Sequence, residues 1–163
     1  MKAWLKAFNP LATIDSEAEA LMAARASSIS LWLSGAKWVM AAILMIEDMP
    51  RLKAVMATSA DTPLNDMLGN GRVEATVAIT AAIGLFQVML GGVQWRAPNT
   101  VIPIIFLILS VYGLGNALWS QFTGGSYGGL TMGLSYFTLV VAVLFHWIGL
   151  RGARRLEQLH RVH

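Results

Sequence analysis

A lysine near the middle of an apolar segment is the residue of this chain with most chemistry to offer. Lys37 is flanked by Ile29 to Ala36 and Trp38 to Ile46. Each run is too short to cross a bilayer alone, so the segment crosses with its lysine inside or does not cross at all. An ammonium at that depth could hold an anion or carboxylate substrate, meet a carboxylate of another chain, lose its proton to burial, or sit in a water-filled cavity. Snorkelling falls short, because the side chain reaches about 6 Å of a half-thickness of roughly 15 Å.

Spacing supplies the expected neighbours. Ala20, Ala23, Ser27, Ser30, Ser34, Lys37 and Ala41 recur at alternating steps of three and four, which puts Lys37 on a small-residue face and aims it at protein or a cavity. A second stripe runs through Thr80, Gln87 and Gln94 with Gly84 and Gly91, and a third through Ser135, Thr138, Ala142, His146 and Gly149. Ser110, Gly113, Asn116, Ala117 and Ser120 gather toward one end of a further segment. By depth, Gln87 is the expected partner of Lys37, with Ser34 beside it and Asn116 able to add an amide to an anion site. Glu74 belongs roughly 15 Å away along the membrane normal, so a pair between it and Lys37 is not expected.

Other chemistries are less well supplied. His146 is the sole histidine in an apolar segment; it raises haem, but one ligand is not a site, and its expected role is an interfacial hydrogen bond beside Trp147. There is no cysteine, and hence no thiolate or sulfur-ligated metal. The HExxH and phosphate-loop patterns are missing, as is a pair of intramembrane carboxylates. The chain therefore reads as non-enzymatic, with no cofactor, no metal site and no nucleic-acid partner.

These residues need helices to carry them. With 163 residues, 56% hydrophobic and 13% charged, the chain falls outside the range of ordinary soluble domains. Four apolar segments, approximately 27–46, 73–95, 100–119 and 130–150, are each long enough to span. The expected fold is all-α and integral to a membrane, one domain with four transmembrane helices in an antiparallel bundle.

Ser16 and Glu19 form a capping-box pattern, so a helix is expected to start near Glu17 and run unbroken into the first span as a cytoplasmic extension. Met1 to Phe8, with Trp4, Leu5 and Phe8 beside Lys2 and Lys6, reads as an interfacial anchor ended by Pro10. No secretory signal is evident, and the N-terminus is expected to be retained. Residues 47–72 form the external loop, with a short helix from Arg51 to Thr58 and turns at Asp61-Thr62-Pro63 and Gly69-Asn70-Gly71. Gly125, Gly129 and Gly133 offer a GxxxGxxxG pattern at the entry to the fourth span. The number and order of spans, with a long loop after the first, resemble the layout of small four-helix DoxX-like membrane proteins; the resemblance is one of layout and carries over no residue.

Charge gives the orientation. With both termini inside, Lys2, Lys6, Arg25, Arg96, Arg151, Arg154, Arg155 and Arg161 lie on the cytoplasmic face, against Arg51, Lys53 and Arg72 outside. A bacterial cytoplasmic (inner) membrane is the expected location. Arg151, Arg154 and Arg155 open a basic tail, 151–163, suited to anionic lipid headgroups. The function expected is that of an accessory subunit bound to other membrane subunits or to itself, with an oligomeric anion transporter or channel as the alternative and a haem or quinone subunit behind both.

Overall fold

The computed structural model describes residues 6–58, 63–123 and 130–161. It is all-helical among them: α1 (Glu17–Ala24), α2 (Ala26–Glu47), α3 (Met49–Thr58), α4 (Pro63–Arg96), α5 (Val101–Phe122) and α6 (Leu130–His160). Four stretches are long and apolar enough to cross a membrane: Glu17–Glu47, Gly71–Arg96, Val101–Phe122 and Ser135–His160. Trp4 and Leu5 of the expected anchor lie outside the described residues, as do Asp61-Thr62 and the Gly125 and Gly129 of the glycine pattern.

The helix starts follow from local chemistry. Ser16 Oγ accepts a hydrogen bond from Glu19 N at 3.2 Å, satisfying one of the free donors of α1. The reciprocal half of the capping box is displaced by one residue, since the Glu19 carboxylate accepts from Asp15 N at 2.9 Å rather than from Ser16. The expected unbroken helix is interrupted only at Arg25, whose N–H still reaches Leu21 O. Pro50 and Pro63 lie at helix starts, where a missing N–H matters least. Asn99, not the neighbouring Thr100, caps α5, its Oδ1 accepting from Ile102 N at 3.0 Å.

Two expectations change. The turn expected at Gly69-Asn70-Gly71 is helical, because α4 already begins at Pro63. Glycine costs about 1 kcal/mol in a helix interior, less than leaving backbone groups unbonded next to an apolar phase. The basic tail is also helical as far as His160, as a continuation of α6.

The chain packs as two units, Met1–Trp32 with Leu90–His163, and Leu33–Met89. In the first, α1 crosses α6 almost backbone to backbone. Ala20, Ala23, Ala24, Ser27 and Ser28 have no exposed surface, and a Cβ added to Gly152 would lie 2.7 Å from Ala20 O. At Gly149 it would meet Ser27 Cβ at 2.7 Å. α5 and α6 run in opposite directions, Phe106 against His146 and Tyr136 Oη donating to Ala117 O at 2.7 Å. In the second unit, the α2 and α4 backbones meet at Gly35 and Gly84, where an added Cβ on Gly35 would fall 2.7 Å from Gly84 O.

Filling such a crossing forces the helices apart. Gly152→Val is expected to lower stability by about 1–3 kcal/mol, whereas Gly115→Ala, with nothing within 4 Å of an added Cβ, should be neutral or slightly stabilising. Unfolding midpoints of the two variants in the same detergent check this pair of outcomes.

Candidate functional site

Lys37 lies in the second unit, on α2, and is exposed. The small-residue stripe predicts the opposite. Its members from Ala20 to Ser30 are buried, but a stripe stepped by threes and fours drifts around a helix that turns about 100° per residue. Lys37 is therefore at its edge. The face that packs is centred instead on Gly35, two residues earlier and about 200° around the helix, with Val39 and Ala42. Lys37 points away from α4, among Leu33, Met40 and Leu44, which are 56%, 56% and 55% exposed. Its one close neighbour is Trp38, with Nζ 5.5 Å from the ring centroid, a cation–π contact.

The expected partners are arranged differently. Gln87 is half-buried, and its Oε1 is buried with no hydrogen-bond partner, so Lys37 does not donate to it. Gly35 meets α4 beside Gly84 and Val88. Ser34 is half-buried. Glu74 forms an ion pair with Lys53 of α3, which ties the start of the second apolar stretch to the short helix before it. Asn116 is exposed on α5, in the first unit.

His146 is buried at 2% exposure and hydrogen-bonded through Nδ1 to Ser27 Oγ at 2.7 Å. The Phe106 ring stacks on it with centroids 5.7 Å apart. A ligand nitrogen needs an opening that a ring so enclosed does not have, so His146 joins the start of α2 to α6 within the packed interior. No group of three metal-binding side chains occurs among the described residues.

The basic end of α6 carries most of the polar geometry. Arg151, expected to reach lipid headgroups, instead donates to the carbonyls of Pro10 and Ala12, the latter at 2.5 Å. Residues 6–15 form a strap over α1 and α6. Ala7 is buried, Phe8 meets Phe145 edge-on at 5.9 Å, and Ile14 packs on the cluster of Ala20, Ala24, Ala153 and Leu156. Lys6 closes the strap, with Nζ 2.6 Å from Asp15 and 3.1 Å from Glu19. The amphipathic N-terminal sequence thus folds, over its described part, against its own chain.

Arg25 and Gln94 escape a search for chemistry. Arg25 Nε donates to Trp95 O at 3.1 Å, and its guanidinium lies 4.8 Å from the Trp95 ring centroid. Gln94, fully buried, donates to Asn99 O at 3.1 Å and accepts from Asn99 N at 3.3 Å, closing the turn between α4 and α5. The Gln94 spacing was visible in the second stripe; its use as a turn clamp was not.

The Lys6 hydrogen bond holds the Asp15 carboxyl below its usual range, while the two carboxylates raise the Lys6 amine. A depressed acid contributes above its ordinary value and stops contributing as pH falls through the lowered one; a raised amine contributes below its ordinary value and is lost only in strong alkali. The Lys6 clasp of the strap should hold at neutral pH and weaken on acidification below about pH 4, while Arg151 and the packing of Ile14 persist. Amide exchange over residues 10–15, corrected for intrinsic rates, is expected to accelerate below that point and to stay slow at pH 9. No protein-family model, curated protein or solved structure matches the chain.

Proposed function

We propose that this protein is a non-enzymatic integral membrane subunit of a larger assembly, joined to its partner through the outward face of α2. One observation carries the reading: Lys37, within an apolar stretch, is exposed among exposed leucine and methionine side chains, its Nζ 5.5 Å from the Trp38 ring centroid. A charge at the centre of a transmembrane helix costs roughly 2.5–3.5 kcal/mol, a cost that a carboxylate or hydrogen-bond acceptor on an adjoining helix offsets. The chain's nine acidic residues all lie outside the middle of its apolar stretches, so a second copy offers no carboxylate at that depth and a different membrane subunit fits better. α5 supports the same reading, since only 6% of its most apolar stretch is buried within the chain.

An anion-transport role for Lys37 draws less support. The buried polar atom nearest in character to a ligand group, Gln87 Oε1, is an acceptor, which repels an anion. Both termini inside a bacterial cytoplasmic membrane remain the orientation that the arginine and lysine distribution favours.

Purified in mild detergent from its native membrane, the chain should migrate in a complex well above its 17.7 kDa mass. Lys37→Glu should dissociate that complex more than Lys37→Met, because reversal places two like charges in the contact while methionine only removes one. A fully active monomer, or equal tolerance of the two substitutions, would overturn the proposal.

A further inference from the structure

The strap and the end of α6 flank an open groove of about 460 Å³, whose polar lining is Thr13, Asp15, Arg151, Arg154, Arg155 and Gln158, with Ile14 as its apolar member. The four α6 residues fall at steps of three, one and three, so they line one side of that helix. Three guanidinium groups face a single carboxylate there, and that carboxylate is already held by Lys6 at 2.6 Å. The groove therefore keeps a positive field although an acid lines it.

Its donors are unequally used. Arg151 is committed to the Pro10 and Ala12 carbonyls and fixes the strap wall. Arg155 donates through Nη1 to Gln158 at 3.4 Å, a long bond, while its Nε is buried without an acceptor. Arg154 is exposed and makes no ion pair among the described residues. The Arg155 Nε is closed to a ligand in the groove, which leaves the exposed Arg154 guanidinium and the Nη edge of Arg155 as the groove's open donors. What is missing is an anionic group with several oxygens, and arginine forks match phosphate geometry.

We infer that this groove binds one phosphate group, gripped by Arg154 and Arg155, while the Thr13 hydroxyl on its wall donates to Asp15 at 3.3 Å. The volume is in the range of small-ligand sites and admits a phosphate with a few attached carbons. The groove begins at Arg151, directly after the apolar run that ends at Leu150, which sets it at the level of phospholipid headgroups in a bilayer. A headgroup phosphate and a soluble phosphate share this chemistry. The inference does not depend on the role given to Lys37.

The test uses the full chain in nonionic detergent, titrated separately with short-chain phosphatidylglycerol and with inorganic phosphate, and bound ligand counted by native mass spectrometry. One saturable equivalent is expected. Arg154→Gln and Arg155→Gln should each weaken it about tenfold or more, as for loss of a charge-assisted bond. Arg161→Gln, a nearby basic residue that does not line the groove, should change it less than about twofold, the screened effect of a distant surface charge. Gln158→Lys, which adds a cation to the lining and leaves the Lys6–Asp15 clasp intact, should tighten binding, a gain that misfolding cannot mimic. Binding of the lipid alone assigns a headgroup, and binding of inorganic phosphate assigns a soluble source; either supports the site. Absence of a saturable equivalent, or equal weakening by Arg161→Gln, overturns it in favour of diffuse attraction.

Discussion

The close approach of helix backbones at small residues is the constraint on which the structure depends. Ala20, Ala24 and Ser27 on one side and Gly149 and Gly152 on the other leave no room for even one added carbon. Lipid gives apolar helices no reason to leave it, so association in a membrane rests on dispersion contacts and interhelical hydrogen bonds, both of which require this proximity. The Gly35 and Gly84 contact repeats the device within the second unit.

That contact decides what the polar residues can do. Only because the start of α2 touches α6 at Gly149 can Ser27 reach His146, and only because α6 continues past the contact does Arg151 meet the Pro10 and Ala12 carbonyls. Residues that look chemical in the sequence thus become fasteners: His146 within the core, Glu74 on Lys53, Arg151 on the strap. The polar groups left without internal work are fewer. Beside the neutral Ser28 Oγ and Gln87 Oε1, two stand out among the described residues, Lys37 on the outward face of α2, and Arg154 with the buried Nε of Arg155 at the end of α6. Both are cationic, and the proposed membrane partner and the proposed phosphate rest on them.

The helices were legible because length and hydropathy suffice for them, and the stripes through Thr80, Gly84 and Gln94 and through Ala142, His146 and Gly149 do mark buried faces. Lys37 departs from the face its spacing predicts because steps of three and four drift by about 20° every seven residues, and Gly35, the centre of the contact, breaks that pattern. Gly69-Asn70-Gly71 reads as a turn from residue type, yet propensity yields where a long helix satisfies its own backbone. The strap was legible only as an amphipathic segment. Its partner, Arg151, is 141 residues from Pro10, and nothing local in either sequence points to the other.

The central claim is that Lys37 faces out of the chain that carries it. Because the protein has no cysteine, a Lys37→Cys variant accepts a single nitroxide label, and its collision rates with oxygen and with a water-soluble nickel chelate can be measured in nanodiscs. For the isolated chain the account predicts a mobile label, reached by oxygen and poorly by the chelate, as expected of a lipid-facing position near mid-membrane. A label that is immobile and shielded from both reagents would place Lys37 inside its own protein and contradict the account.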